Sequence, residues 1–287
     1  MKIKLSVIIL NYNTSGLLKA CLSAVLASEG FGDKELEIIV VDNNSSDNSV
    51  EMVRKEYPEA KLIRNKKNFG FSAGNNVGIK KSGGKYLLLL NSDTLVEPDA
   101  LMAVLKVMEN DRSIGAATCL LQTADGKIDP ASHRGFPTPW NALSYFIGLE
   151  KLFPKTRFFG GYHQGWKNLK ASHEVDCISA AFMMVSDEVI DKVGLLDERF
   201  FMYGEDIDWC LRIKKAGFKI LFYPGVKTLH LKRQSGREQS RDKDLRKKTQ
   251  TMFMDSMWQF YEKHYFAKYP LFLNWLVKII IKTRKFL

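Results

Sequence analysis

The feature that most constrains this fold is an alternation of short apolar strands with helical patterns over the first 120 residues. Apolar runs at 5–10, 36–41 and 86–90 are predicted strands, and the residues between them have helical spacing. Strands that are apolar throughout are typical of a parallel sheet covered by helices on both faces. A further helix after Pro98 and a strand at 114–119 continue the pattern. The sequence therefore predicts an α/β fold with a mostly parallel central sheet.

Polar residues stand at the ends of three of these predicted strands. They are Asn11 and Asn13 after the first strand, Asp42 after the second, and Asn91, Ser92 and Asp93 after the strand at 86–90. In open α/β sheets, ligands bind beyond the carboxyl ends of the strands. Any one of these residues is also typical of a turn or a helix cap. Three such strand ends at one sheet edge favour a binding cleft.

A glycine-rich stretch begins at Asn68 and places Gly70, Gly74 and Gly78 four residues apart. Glycines at this spacing permit close approach of the backbone either to a ligand or to a neighbouring element, and both interpretations stay open. The stretch has neither the ending of a P-loop nor the dinucleotide fingerprint, so these two functions lose support. A nucleotidyltransferase would need a glycine-rich loop with a catalytic Arg or Lys near the N-terminus, and residues 10–15 contain neither.

An aromatic run with a glycine, at 200–204, leads into Glu205, Asp206 and Asp208 at the start of a predicted helix. Acidic residues in a first helical turn interact favourably with the helix dipole, which alone would account for them. The preceding aromatic residues would also hold a carboxylate at the rim of an apolar pocket, where a general base is useful. By contrast, residues 122–172 lack clean periodicity and are predicted to form long loops over a binding face.

Four motifs, in this order and spacing, resemble the inverting family 2 glycosyltransferases of the GT-A fold, particularly their rhamnosyltransferase-like branch. They are residues 40–47, the glycine stretch at 68–78, residues 91–93 and residues 204–206. The resemblance covers about residues 3–235. It implies a GT-A nucleotide-diphospho-sugar transferase domain at 1–235, with a nucleotide-binding half at 1–120, an acceptor-binding half at 121–235 and an extension at 236–287.

The implied activity is the inverting transfer of a sugar to a hydroxyl of a lipid-linked glycan or polysaccharide. The first donor expected is dTDP-rhamnose, and the alternative is a UDP-hexose. In the family, the residue matching Asp42 accepts a hydrogen bond from uracil or thymine, Asp93 matches a ligand of Mn²⁺ or Mg²⁺, and Asp206 matches the catalytic base. Asn91 replaces the first acid of the family's Asp-x-Asp motif, which removes one negative charge from the metal site.

His230, after a predicted strand at 219–223, resembles a further metal ligand of some relatives; a loop or core histidine is the alternative. The remaining expected site residues are Asn11, Asn13, Asn68, Gly70, Gly74, Asn91 and Ser92 for the donor nucleotide, Lys232 and Arg233 for the diphosphate, and Glu205, Trp140 and Trp166 for the acceptor or its support. Tyr145 and Tyr162 are further candidates for acceptor stacking, with burial in the core as the alternative for all these aromatic residues.

The C-terminal segment holds most of the positive charge: residues 227–287 contain 15 Lys or Arg against 5 Asp or Glu, and the whole chain is +11. A predicted helix after Pro270 is interrupted at Asn274 and Lys278, whereas a bilayer span needs roughly 20 apolar residues. A helix in an anionic membrane interface is therefore favoured. A helix that forms a homodimer or joins the core, and a spanning segment, are the alternatives. Nucleic acid is not expected, because no binding motif for it is present.

The predicted location is the cytoplasm, with peripheral attachment to the inner face of the cell membrane. The four cysteines are widely separated, and the apolar run at 5–10 is short for a signal peptide. A non-catalytic, membrane-associated scaffold that retains a transferase fold is the non-enzymatic alternative.

Overall fold

The computed structural model describes residues 3–231 and 243–284. Within them, the first half of the chain alternates strands and helices as the apolar periodicity predicts. Its elements are β1 (Leu5–Asn11), α1 (Ser15–Leu26), β2 (Leu36–Asp42), α2 (Ser49–Glu56), β3 (Lys61–Arg64), α3 (Gly70–Ile79), β4 (Tyr86–Asn91), β5 (Thr94–Val96), α4 (Ala100–Asn110) and β6 (Ile114–Thr123).

The second half is more irregular. Its elements are α5 (Pro139–Phe146), α6 (Leu149–Leu152), β7 (His173–Glu174), β8 (Phe182–Ser186), α7 (Asp187–Val193), α8 (Glu205–Lys215), β9 (Lys219–His230), α9 (Lys243–His264) and α10 (Leu271–Arg284). The segment at 122–172, predicted as loops, thus contains two short helices. Thr138 begins α5 by accepting a hydrogen bond from the backbone N–H of Asn141, and Pro139 follows at the first helical position.

The strands form one mixed sheet in the order β3-β2-β1-β4-β8-β6-β9-β5, with β7 also paired to β9. The strands from β3 to β4 are parallel. Strand β8 then runs antiparallel to both β4 and β6, and β5 and β7 are antiparallel to β9. The predicted parallel strands are present in the nucleotide half and in the pair of β6 and β9, whereas β8 enters between β4 and β6 in the opposite direction.

Helices cover both faces of the sheet, and successive residues of one strand serve opposite cores. Val7 and Ile9 point into the core beneath α1 and α4, whereas Ile8 points into the core beneath α3 and α8. All three are fully buried. This alternation explains why the strands are apolar at every position.

The glycines of α3 let that helix lie directly on β1. A Cβ atom at Gly74 would lie 2.5 Å from Leu10 Cδ1, and one at Gly78 would lie 2.5 Å from Ile8 Cγ2. Of the two interpretations of this glycine spacing, the structure therefore supports close helix packing at these two positions.

Strand β9 continues to His230, seven residues beyond the predicted end near Tyr223. Its pairing with β6 shifts register between Cys119 and Leu120, so that Pro224, Gly225 and Val226 are accommodated as a bulge. The predicted strand was too short because a proline normally ends a strand. As a result, His230 lies at the last position of β9 and pairs with Thr94 of β5.

The C-terminal helix α9 packs against the sheet domain. Phe260, Tyr261 and Tyr265 belong to the core beneath α8. Asp208 of α8 is fully buried and pairs through Oδ1 with His264 Nε2 at 2.7 Å and Lys263 Nζ at 2.5 Å. These contacts join α9 to the helix that begins at Glu205.

Helix α10 is attached to α9 through Asn274, which is buried. Asn274 Oδ1 accepts a hydrogen bond from the Tyr261 hydroxyl at 2.6 Å, and its amide donates to the carbonyls of Phe266 and Tyr269. Asn274, which interrupts the apolar pattern of this helix, therefore anchors α10 to α9. In the described ranges, no helix combines the length and apolar character needed to cross a membrane.

Candidate active site

The ends of β1 and β2 form a buried polar cluster. Asn11 donates from its amide to Asp42 Oδ1 and to Ser45 Oγ, both at 3.0 Å. The backbone N–H of Ser45 donates to Asp42 Oδ2 at 2.9 Å. Each carboxylate oxygen of Asp42 thus already accepts one hydrogen bond, and each retains a lone pair for another donor. The predicted residues Asn11 and Asp42 are therefore in contact with each other.

The neighbouring loops are stabilised by the other asparagines. Asn13 has a positive φ of 55°, and its Oδ1 accepts from the backbone N–H of Ser46 at 2.7 Å. Asn68 Oδ1 accepts from the N–H of Gly70 at 2.8 Å. Gly70 has a φ of 85°, and a Cβ there would lie 2.5 Å from the carbonyl oxygen of Phe201. These contacts bring the glycine-rich stretch against the loop that precedes Asp206.

A second cluster forms where β4 and β9 end. His230 Nε2 lies 3.3 Å from Asp93 Oδ1 and 3.5 Å from the amide nitrogen of Asn91. On its other side, His230 Nδ1 lies 2.8 Å from Asp129 Oδ2. The structure thus brings together Asp93 and His230, which are 137 positions apart in the sequence. Ser92 Oγ lies nearby in the chain, 2.9 Å from Thr14 Oγ1.

The carboxylate oxygens and imidazole nitrogen of this cluster are atom types that bind a divalent cation. Asp93 Oδ2 is buried and lacks a hydrogen-bond partner among the described residues. Burial alone would lower the pKa of His230, but the hydrogen bonds and charges of Asp129 and Asp93 raise it to about 9. A metal-ligating histidine usually donates its other ring N–H to a carboxylate or carbonyl, and Asp129 is placed to accept from His230 Nδ1 in this way. Among the described residues, however, no group of three or more His, Cys, Asp or Glu converges tightly enough to be a complete metal site.

The predicted base, Asp206, lies in the first turn of α8 and is paired with a residue of the 122–172 segment. Arg134 Nη2 lies 2.8 Å from Asp206 Oδ2, and the two side chains are only 11% and 13% exposed. The Arg134 Nε atom donates to the carbonyl of Ala131 at 2.9 Å, so the guanidinium is held from both ends. The segment predicted to form loops over a binding face thus contributes directly to the surroundings of Asp206.

Glu205 is buried beside Asp206, and its Oε2 atom has no hydrogen-bond partner among the described residues. Burial, together with the negative charge of Asp206, raises the pKa of Glu205 to about 8. The raised pKa favours the protonated form of Glu205. A protonated carboxyl group does not accept a proton, so of the two neighbours Asp206 is the better candidate for the base.

The aromatic residues expected at the acceptor side differ in how much of each side chain is exposed. Trp140 is 37% exposed, and its indole N–H donates to the carbonyl of Phe158 at 2.7 Å. Trp166 and Tyr162 are half-buried, and Tyr145 is 47% exposed. Lys232 and Arg233, expected at the diphosphate, lie outside the described residues.

Residues 6–188 match the sequence pattern of glycosyl transferase family 2. The chain belongs to this family. It is a glycosyltransferase, and the resemblance of its motifs to the family is thereby confirmed.

The chain is similar to the rhamnosyltransferase WbbL of Escherichia coli K12, with 26% identity over 233 residues that cover 78% of this chain and 82% of the relative. It is also similar to the N-acetylglucosaminyl-diphospho-decaprenol L-rhamnosyltransferase of Mycobacterium tuberculosis, with 25% identity over 244 residues that cover 80% and 77%.

Solved structures share the fold of this family 2 glycosyltransferase. The mannosyltransferase PcManGT of Pyrobaculum calidifontis, solved with GDP-Man and Mn²⁺, has a TM-score of 0.63 at 14% identity, covering 99% of this chain and 71% of that one. GalNAc-T7, solved with UDP, GalNAc and Mn²⁺, has a TM-score of 0.61 at 17% identity, covering 98% of this chain and 55% of that one. These likenesses confirm the predicted GT-A fold.

Two residues of this glycosyltransferase site were not anticipated from its sequence. Arg134 and Asp129 both come from the irregular segment after β6, where no periodicity or motif marks them. Asp129 precedes Pro130 and caps a short 3₁₀ turn, so its sequence context indicates only a turn residue. Their contacts with Asp206 and His230 depend on how this segment folds back over the sheet.

Proposed function

We propose that this glycosyltransferase transfers L-rhamnose from dTDP-rhamnose, with inversion, to a hydroxyl of a lipid-linked glycan in cell-surface polysaccharide synthesis. The observation that carries the proposal is the meeting of Asp93 and His230 around an unpaired, buried carboxylate oxygen. Such a site suits a cation that accompanies a diphosphate. The names of the two rhamnosyltransferase relatives support the sugar and the lipid-linked acceptor. A UDP-hexose is the alternative donor.

In the proposed reaction, the carboxylate of Asp206 takes the proton from the acceptor hydroxyl. The hydroxyl oxygen forms a bond to the anomeric carbon while the bond from that carbon to the diphosphate oxygen breaks on the opposite face, and dTDP leaves with the electron pair. Inversion follows from this single displacement. Arg134 holds Asp206 Oδ2 in place at 2.8 Å, so the carboxylate does not need to reorient before it accepts the proton.

Asp93 and His230 are the residues that would hold the divalent cation, with Asp129 fixing the orientation of the imidazole. An imidazole ligand suits Mn²⁺ better than Mg²⁺, and two solved neighbours of the same fold contain Mn²⁺. When bound, the cation would neutralise negative charge that develops on the leaving diphosphate.

The donor nucleotide is proposed to bind at the edge formed by β1 and β2. Asp42 would accept the N3–H of thymine with one of its remaining lone pairs. Asn11, Asn13, Asn68, Gly70, Gly74, Asn91 and Ser92 remain proposed donor contacts, and Lys232 and Arg233 remain proposed diphosphate contacts. Glu205, Trp140 and Trp166 are proposed on the acceptor side.

Membrane attachment through α10 is supported by its exposed surface. Leu271, Phe272 and Trp275 are 77%, 75% and 70% exposed, and Leu276 and Ile279 continue the same face. The sequence from Leu271 onward contains no acidic residue. We propose that this face lies in an anionic interface on the cytoplasmic side, and that the extension at 236–287 binds the membrane through α10 while its helix α9 packs on the transferase domain at 1–235.

A calorimetric donor screen tests the proposed activity. The purified chain is titrated with dTDP-rhamnose, UDP-glucose and GDP-mannose, each with and without Mn²⁺. The expected result is Mn²⁺-dependent binding of dTDP-rhamnose, weakened at least tenfold by Asp42→Ala and by Asp93→Ala. Asp125→Ala is the control, because Asp125 is an exposed carboxylate in the turn after β6. Preferential binding of UDP-glucose would replace the rhamnosyl assignment with the UDP-hexose alternative.

A further inference from the structure

A second exposed apolar surface lies on α5, α6 and the turn that follows them. On α5 and at its C-cap, the side chains of Trp140, Leu143 and Ile147 recur at helical spacing and are 37%, 40% and 59% exposed. Leu152 and Phe158 are 71% and 62% exposed. Trp140, Leu143, Ile147, Leu152, Phe153 and Phe158 are called here the aromatic patch.

Ring contacts through Phe159 connect the aromatic members of the patch. The ring centroids of Trp140 and Phe158 are 4.7 Å apart, and those of Phe158 and Phe159 are 4.9 Å apart. Phe153 in turn lies 5.3 Å from Phe159. Soluble proteins rarely leave large connected apolar surfaces exposed unless these bind a partner or a membrane.

The charged residues of the segment that carries the aromatic patch are almost all positive. Residues 136–172 contain five Lys or Arg and one acid, Glu150. Glu150 is buried and hydrogen-bonded to His163, so it does not offset the surface charge. Lys151, Lys155 and Arg157 are all exposed and stand between patch residues in the sequence. Aromatic residues flanked by cations suit an anionic lipid interface, where the rings lie among the acyl chains and the cations reach the headgroups.

A short stretch of chain links the Trp140 end of the aromatic patch to the partner of the proposed base. Trp140 follows Arg134 by six residues, which limits the distance between their Cα atoms to about 22 Å. Arg134 contacts Asp206 directly. A lipid-linked acceptor carries its sugar within a short distance of the bilayer surface, so a membrane contact here would deliver the acceptor hydroxyl to the correct side of the domain.

We infer that the aromatic patch inserts into the interface of an anionic bilayer, as a second membrane contact beside α10. The inference deepens the proposed function and rests on its membrane location. A second copy of the chain is a poorer occupant. A symmetric dimer through the patch would bring Lys151, Lys155 and Arg157 of both copies towards one another without acidic partners. An anionic lipid surface supplies the opposite charge along the whole patch.

Vesicle flotation of the full chain tests the inference. The vesicles are phosphatidylcholine with 30% phosphatidylglycerol, and pure phosphatidylcholine for comparison. The double variant Leu152→Asp with Phe158→Asp is expected to bind the anionic vesicles at least tenfold more weakly than the wild type. The variant Trp275→Asp tests α10 in parallel. Leu26→Asp is the matched control, because Leu26 is 42% exposed at the end of α1 and belongs to neither surface.

A second variant separates lipid binding from misfolding. This triple variant combines Lys151→Gln, Lys155→Gln and Arg157→Gln, which change only exposed side chains. It is expected to bind the anionic vesicles several-fold more weakly than the wild type. Its melting temperature and its affinity for dTDP are expected to stay unchanged. The inference would be overturned if the Leu152/Phe158 variant bound the anionic vesicles as tightly as the wild type does. It would also be overturned if sedimentation showed a dimer for the wild type and a monomer for this variant. Absence of wild-type binding to either vesicle would remove both membrane proposals, whereas dTDP calorimetry tests the transferase site independently.

Discussion

Arg134 Nη2 lies 2.8 Å from Asp206 Oδ2, and this ion pair joins the segment after β6 to the first turn of α8. The two residues are 72 positions apart in the sequence. Both side chains are nearly buried, so each charge depends on the other for compensation. The proposed base is therefore held by a residue from the acceptor half of the domain.

Breaking this pair on one side should destabilise the fold. Arg134→Met leaves Asp206 without its cation, and the expected loss in unfolding free energy is about 3 kcal/mol, as for other buried pairs that lose one partner. The double variant Arg134→Met with Asp206→Asn should recover much of this loss. Urea denaturation of the wild type, the two single variants and the double variant measures the coupling. Additive effects of the two substitutions would show that the pair is not coupled; Arg157→Met, at an exposed position, is the control.

Asp206→Asn should abolish turnover while leaving the donor site intact. The amide cannot accept the proton of the acceptor hydroxyl, so the rate of sugar transfer should fall by roughly 10²- to 10⁴-fold. The affinity for dTDP should stay within twofold, because Asp206 is not proposed to contact the nucleotide. Rates with a membrane fraction as the source of acceptor, and calorimetry with dTDP, measure the two effects. Unchanged turnover would instead favour the scaffold alternative or another base.

His230→Gln and Asp93→Asn should each remove the Mn²⁺ dependence of dTDP binding. Asp129→Asn should weaken Mn²⁺ binding less, by roughly 10- to 100-fold, because Asp129 orients the imidazole through Nδ1. Electron paramagnetic resonance of Mn²⁺ in the presence of dTDP measures this order of effects. The control is Asp125→Asn, which removes an exposed carboxylate from the same segment. Equal Mn²⁺ affinity in all four variants would contradict the assignment.

Glu205 should make the stability of the fold fall as pH rises. The folded state raises the pKa of Glu205 from 4.5 to about 8 through burial and the nearby charge of Asp206. Between these pH values the folded state binds more protons than the unfolded state, so this residue's contribution falls by up to about 1.4 kcal/mol per pH unit. Glu205→Gln should remove that slope. Denaturation at pH 5, 6, 7 and 8 compares the two proteins, and parallel pH profiles would show that Glu205 does not titrate in this range.

Truncation should separate the roles of the two C-terminal helices. A chain ending at residue 240 loses Phe260, Tyr261 and Tyr265 from the core and leaves Asp208 without His264 and Lys263. It should be poorly soluble or unfold at a much lower temperature than the wild type. A chain ending at residue 269 keeps α9 and should stay folded, since it loses only α10. Thermal unfolding by circular dichroism compares the three lengths; equal stability of the shortest chain would mean that α9 is dispensable for the core.

The predictions from sequence were most accurate where the physical signal is local. The strands β1, β2 and β4 were predicted because residues buried on both faces must be apolar at every position, as at Val7, Ile8 and Ile9. The placement of Asn11 and Asp42 at one edge followed from the common direction of parallel strands. The reversed direction of β8 carries no such signal, since an apolar strand has the same composition whichever way it runs.

The sequence by itself determined the strand and helix order of the nucleotide half, the family, and the residues Asp42, Asp93 and Asp206 as candidates for chemistry. Only the tertiary structure decided what these candidates contact. Arg134 and Asp129 reach Asp206 and His230 from an aperiodic segment, and Asn274 turns inward to Tyr261 instead of facing solvent. The physical reason is that periodicity reports the burial of each residue, whereas a pairing between distant side chains depends on the path of the whole chain between them.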